Sequence, residues 1–170
     1  MYQPYPPAGP DSVPPAQPAP PRPVVTAVRL MYAGAAVSAA EIIIGLATIG
    51  NLRSAIRSQF PHYTASQVHS AQVATLTFAA VAGLLAIGLW VWMAWANGAG
   101  KSWARIVASV LFGINTIDLL TLVARPYAIT GLLLAILVWL IGLGAIVLLW
   151  QRESSAYYQA RSGPRYGQPG

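Results

Sequence analysis

Residues 129–150 read ITGLLLAILVWLIGLGAIVLLW, a stretch without a charged or an amide side chain. About 20 apolar residues in a helix cross the roughly 30 Å hydrocarbon core of a bilayer. Three further apolar runs of similar length precede this one, at about residues 30–49, 73–95 and 106–123. The pattern predicts an all-α integral membrane protein with four transmembrane helices inside residues 24–150.

The composition of the whole chain favours the same class. The 170 residues are 56% hydrophobic and 8% charged, with a mean hydropathy of +0.55, whereas roughly a quarter of the residues of a soluble domain are charged. The net charge of +6 comes from cations at the edges of the apolar runs, where they meet anionic lipid. We therefore expect the lipid bilayer as partner and no nucleic acid. The chain has no cysteine, which excludes disulfides and thiolate chemistry.

The distribution of cations predicts the orientation, because cytoplasmic loops carry an excess of Lys and Arg. With both termini inside, seven cations face the cytoplasm and three face outward. The inner set is Arg22, Arg29, Lys101, Arg105, Arg152, Arg161 and Arg165, and the outer set is Arg53, Arg57 and Arg125. The count favours an N-in, C-in topology.

Both termini differ in composition from the membrane domain. Residues 1–23 hold ten of the fourteen prolines, which predicts a disordered cytoplasmic tail of polyproline II character. Such a tail either docks on an aromatic groove of a polyproline-binding protein or has no fixed partner. Its candidate contact residues are Tyr2, Tyr5, Pro6, Pro7, Pro20, Pro21 and Arg22. Residues 151–170 are predicted to form a polar cytoplasmic tail.

The loop between the first two spans is predicted to be helical and extracytoplasmic. Leu52, Ile56 and Phe60 form one apolar stripe at helical spacing, and Pro61 ends that helix. Residues 64–67, TASQ, fit a capping box that restarts a helix. His62 and His69 have no further ligand types beside them, so we expect neither a metal site nor a cofactor.

Two carboxyl groups inside the spans are the strongest candidates for a site, because an ionisable group in lipid costs at least about 2.5 kcal/mol. Ser38 and Glu41 share one face of the first span, and Asn115 and Asp118 share one face of the third. We expect the two polar faces to meet. They form either a proton-coupled site with a raised carboxyl pKa or a set of interhelical hydrogen bonds.

Residues 92–106, WMAWANGAGKSWARI, interrupt the apolar pattern with a bend. Trp92, Trp95 and Trp103 stand where aromatic belts meet the membrane interface, and Asn97 with Gly98 is a turn signal. Together with TAVRLMYAGAA upstream and LLWQRESSAYY downstream, this run resembles a family of small four-helix membrane proteins from actinobacteria. The resemblance implies four spans, a Pro-rich cytoplasmic tail and the plasma membrane, and it implies no activity.

Two functions compete at this stage. The first is a non-enzymatic envelope protein that presents its Pro-rich tail to cytoplasmic partners. The alternative is a small proton-coupled transporter or permeability factor that uses Glu41 and Asp118. An enzyme is not expected, since no nucleophile–base pair is visible. Small residues at spacing four, such as Gly34 with Ser38, let helices approach closely and leave homo-oligomerisation open.

Overall fold

The structure, a computed structural model, describes residues 19–124 and 129–162. These residues form six helices and no strand: α1 (Arg22–Ala47), α2 (Ile49–Gln59), α3 (Ala65–Gly98), α4 (Ser102–Val123), α5 (Ile129–Leu149) and α6 (Arg152–Ser162). Four of them, α1, α3, α4 and α5, are long and apolar enough to cross a membrane. The prediction of an all-α chain with four apolar spans is confirmed for the described residues. Its N-in, C-in orientation stays a prediction.

Two helices begin earlier than the hydrophobic pattern indicates. α1 begins at Arg22 because Pro21 takes the extended N-cap conformation and Pro23 occupies the first turn. Backbone N–H groups in the first turn of a helix have no acceptor within the helix, so a proline there removes no hydrogen bond. α3 begins at Ala65 behind the predicted capping box, which is formed between Thr64 and Gln67. With 34 residues, α3 is about 51 Å long and extends beyond the hydrocarbon core.

The four spans pack in an uneven bundle. α1 packs along both α3 and α5, and α4 packs mainly on α5, while the contact between α3 and α4 is small. No Cα atom of α1 lies within 8 Å of one of α4, so these two helices stand diagonally opposite each other. We call the end where α1 and α4 begin and α3 and α5 end the loop end, and the opposite end the α2 end.

The buried core lies almost entirely at the loop end. Six of its members are alanines, which let the helix backbones approach closely in a lipid environment. The core consists of Val24, Ala27, Met31, Met93, Ala94, Ala96, Ala104, Ala108, Ala145, Leu149, Tyr157 and Tyr158. At the α2 end the large apolar side chains are exposed or partly exposed, apart from Ile56 and Val68, which are buried where α2 packs against α3.

The C-terminal region differs from its prediction as a polar tail. Residues 152–162 form the helix α6, which packs against the loop end and buries Tyr157 and Tyr158. A composition rich in polar residues concealed this helix, because its contacts are made by two phenols and by hydrogen bonds rather than by an apolar stripe.

Close packing of α1 on α3 depends on Gly34. A Cβ atom at this position would lie 2.7 to 2.9 Å from three ring atoms of Trp90. A side chain at Gly45, on the same helix, would meet no atom within 4 Å. The two glycines therefore form a matched pair for a test of the α1–α3 contact.

We expect Gly34→Ala to lower the free energy of unfolding by about 1–3 kcal/mol, because the indole must move to admit the methyl group. Thermal unfolding in detergent, followed by circular dichroism, measures the change. Gly45→Ala is the control and should leave the midpoint unchanged or raise it, since alanine favours the helix. Equal midpoints for the two variants would contradict a tight α1–α3 contact at Gly34.

Candidate functional site

A cavity of about 360 Å³ lies between the four spans. It follows from the packing, because α1 and α4 face each other across the bundle without touching along their backbones. All four spans contribute to its wall, which includes Met31, Met93, Ala108 and Ala145 at the loop end. These four residues are buried core members and form the floor of the cavity.

The four polar residues singled out in the sequence all line this cavity. Ser38 and Glu41 enter it from α1, and Asn115 and Asp118 enter it from α4. Within each pair the spacing of three residues places both side chains on one helix face. The structure therefore brings the two polar faces to one space, although their backbones belong to helices that do not pack together.

The cavity is apolar at its floor and acidic toward the α2 end. Met31 and Met93 are 2% and 3% exposed, whereas Glu41 is partly exposed and Asp118 is exposed. From Met31 to Glu41 the axial rise is about 15 Å at 1.5 Å per residue. The two carboxyl groups thus stand near the mouth, and the methionine side chains stand deep inside.

Neither carboxyl group has a protein partner within the described parts of the chain. The cavity wall contains no Lys, Arg or His, and the side-chain oxygens of Glu41 and Asp118 take part in none of the hydrogen bonds found there. Interhelical hydrogen bonds are made by other residues, as where the Trp139 indole N–H donates to Thr116 Oγ1 over 2.9 Å. The carboxyls are available to a ligand or to protons.

Two aromatic side chains form the middle of the cavity wall. Trp90 comes from α3 and Phe112 from α4, and Phe112 also packs against the ring of Trp139 with 5.5 Å between centroids. Aromatic faces attract cations and apolar groups alike. The wall therefore changes from carboxylates to aromatic rings to methionines along the depth of the cavity.

Below the floor, one buried amide joins three helices. The Asn97 side chain is fully buried, and its Nδ2 donates to the Met93 carbonyl over 2.9 Å and lies 4.0 Å from Met31 Sδ. The phenol of Tyr158, on α6, donates to Asn97 Oδ1 over 3.0 Å. Asn97 thus connects the C-terminal helix to both methionines of the cavity floor.

Further hydrogen bonds hold α6 on the turn between α3 and α4. Tyr157 Oη donates to the Gly98 carbonyl over 3.1 Å, and Arg161 donates to the Ala99 carbonyl over 3.2 Å. Gly100 adopts a φ of +71°, which favours glycine, and this allows the turn to close beneath Tyr157. The carbonyls of Gly98 and Ala99 are therefore satisfied by α6, whereas those of Trp95, Ala96 and Asn97 accept from backbone N–H groups of the turn.

Cations and aromatic rings surround this junction. The Arg105 guanidinium lies 4.9 Å from the Trp150 ring centroid and donates to Ser155 Oγ over 3.2 Å. Lys101 Nζ lies 4.2 Å from the Trp95 centroid. Such pairs of cations and indoles are typical of the membrane interface, where the aromatic ring contacts lipid and the charge stays in water.

Burial raises the pKa of the Tyr158 phenol to about 12, with a further increase from Tyr157 and an opposing effect of Arg105. The phenol consequently keeps its proton, and with it its role as donor to Asn97, at every physiological pH.

The remaining predicted residues lie apart from the cavity. Pro20, Pro21 and Arg22 directly precede or begin α1. Tyr2, Tyr5, Pro6 and Pro7 lie outside the described residues. His62 and His69 are exposed near the start of α3, and residues 19–124 and 129–162 contain no group of three His, Asp or Glu side chains that could hold a metal ion.

Sequence reasoning missed the role of Asn97, Tyr157 and Tyr158. Asn97 beside Gly98 indicated a turn, and the turn is formed, but the side chain also points into the core. The adjacent tyrosines of an otherwise polar segment were the only signal for α6, since two large aromatic side chains are rarely left in water without a contact.

The spans and their cavity define a multi-pass α-helical membrane protein. Comparison of the chain with protein-family models, with curated proteins and with solved structures finds no match.

Through Tyr158, the free energy of unfolding should depend on pH in the alkaline range. Because its folded-state pKa of about 12 exceeds the ordinary value of 10.0, its contribution to stability is complete below pH 10 and is lost as the pH rises toward 12. We expect the tyrosinate absorbance of the folded protein to show one late-titrating phenol that disappears in Tyr158→Phe. A titration curve of unchanged shape in that variant would contradict the assignment.

Proposed function

We propose that the protein is a non-enzymatic, multi-pass protein of the plasma membrane that binds a small cationic solute in the cavity and exchanges it for protons. The observation that carries this proposal is the position of two carboxyl groups, Glu41 and Asp118, in one cavity whose wall contains no cationic side chain. No enzymatic role is proposed, since within the described part of the chain the Ser38 hydroxyl donates no hydrogen bond to Glu41, its neighbour in that wall.

The chemistry of the wall favours a cation over other ligands. A carboxylate in a low-dielectric site is costly until an opposite charge or a proton neutralises it. A bound cation and a proton therefore compete for Glu41 and Asp118, and this competition is the physical basis of proton-coupled exchange. No covalent step is involved, since each state differs only in which positive charge the carboxyls hold.

The dimensions of the cavity fit a small organic ligand. Its volume of about 360 Å³ lies at the lower end of the range of small-molecule sites, roughly 300–1,000 Å³. A cationic head group at Glu41 and Asp118 would leave an apolar body beside Trp90, Phe112 and the methionine floor. The gradient along the wall thus supports an amphipathic cation better than a bare metal ion.

With the N-in, C-in orientation, the acidic mouth belongs to the outer half of the membrane. Glu41 and Asp118 stand six and five residues before the last residues of α1 and α4, or about 7 to 9 Å along the axis. A solute from outside would then reach the carboxyls first. The α2 helix lies at this end and would form part of the outer surface.

The interaction of the Pro-rich tail with a cytoplasmic partner stays a prediction, as does the likeness to the actinobacterial family. Residues 1–18 of the tail lie outside the described residues. The cavity therefore takes precedence over the tail in this proposal, although the sequence alone favoured the tail.

We expect Glu41→Gln and Asp118→Asn each to reduce benzyltrimethylammonium-driven proton flux in proteoliposomes by about tenfold or more, the equivalent of 1.4 kcal/mol. Each change removes one charge and keeps the shape of the side chain. A pH-sensitive dye trapped in the vesicles records the flux.

The matched control is Glu153→Gln, which makes the same chemical change in α6, away from the cavity wall. It should retain the flux of the unsubstituted protein. Flux that equals protein-free leakage in all samples, or that survives both cavity substitutions, would reject the proposed function.

A further inference from the structure

The most buried residues of the cavity wall lie at the loop end, and they are covered by a segment outside the four spans. At the loop end the floor residues Met31 and Met93 are backed by Asn97, which is itself covered by Tyr158 of α6. All four side chains are buried. Each layer of the closure thus contacts the next by a hydrogen bond or by packing.

A polar helix is a suitable element for a reversible closure. α6 carries no apolar stripe that lipid would retain, and it joins α5 through a turn at Trp150 and Gln151. Its contacts with the α3–α4 turn are the hydrogen bonds of Tyr157, Tyr158 and Arg161 and the packing of two buried phenol rings. Hydrogen bonds of this kind each contribute little net stability and exchange readily with water, whereas the alanine packing of the spans beside them does not.

We infer that α6 is the plug of the cavity, and that release of the hydrogen bond between Tyr158 and Asn97 opens the floor toward the α6 side of the membrane. The inference deepens the proposed function and rests on it for its purpose, since a carrier needs access from both sides in turn. The Asn97 amide, which lies 4.0 Å from Met31 Sδ, connects the plug to the floor. Loss of the Tyr158 hydroxyl leaves Asn97 Oδ1 without its donor and frees the amide to turn away from Met31.

The absence of cysteine from the chain allows a direct test with single introduced thiols. Ala108→Cys places one thiol at the cavity floor, where the native side chain is 7% exposed. Ser58→Cys in α2 and Gln159→Cys in α6 mark the two sides of the membrane, since both positions are exposed. A membrane-impermeant maleimide is applied to right-side-out and inside-out vesicles.

With Tyr158 intact, we expect the thiol at position 108 to react mainly from the side that labels Ser58→Cys. In Tyr158→Phe its reaction from the side that labels Gln159→Cys should become roughly two- to tenfold faster, the change expected for loss of one hydrogen bond. Tyr157→Phe is the matched comparison: it removes a phenol of the same helix that bonds Gly98 and not Asn97, and its effect on this rate should be smaller than that of Tyr158→Phe.

Equal labelling from the α6 side in Tyr158→Phe and Tyr157→Phe would overturn the inference, as would an unreactive thiol in a chain that ends at Gln151. The truncated chain removes the whole plug and therefore gives the upper limit of access. Labelling requires neither a ligand nor flux, so failure of the plug and failure of the proposed function are distinguishable.

Discussion

Between helices in lipid there is no hydrophobic drive to associate, because a lipid tail is as apolar as a leucine side chain. Association must come from close van der Waals contact and from hydrogen bonds, and this chain concentrates both at one end of its bundle. Alanines such as Ala94, Ala104 and Ala145 let the backbones meet there. The rest of the molecule, including the diagonal separation of α1 and α4, follows from that unequal distribution of contacts.

The same constraint places the polar groups. A bundle packed tightly along its whole length would have to pair Glu41 and Asp118 with each other or with amides, whereas the open half leaves both carboxyls facing a shared space. Glu41 is partly exposed and Asp118 is exposed, and the cost of a carboxyl group in the membrane is lower wherever water reaches it. The carboxyls and the tightest packing thus lie toward opposite ends of the bundle, and the core residues of the cavity floor join the two.

Hydropathy and helical spacing were sufficient to predict the four spans, because the length and period of an apolar run are properties of the local sequence. The same spacing predicted that two polar helix faces would meet, and the residues on them, Ser38, Glu41, Asn115 and Asp118, line one cavity. The capping box at Thr64 was equally local. The start of α1 at Arg22 could not be predicted from the local sequence, since a proline in the first turn is compatible with both a tail and a helix. Asn97 and Tyr158 were beyond reach because a hydrogen bond across 61 residues leaves no trace in either segment.

That separation has a consequence for biosynthesis. The Asn97 amide and the carbonyls of Gly98 and Ala99 leave the ribosome long before Tyr157, Tyr158 and Arg161 exist to satisfy them. At about 5–20 residues per second the delay is roughly 3–12 s, during which water or a translocation factor must solvate the turn. All four spans are therefore synthesised before α6 can dock on the turn.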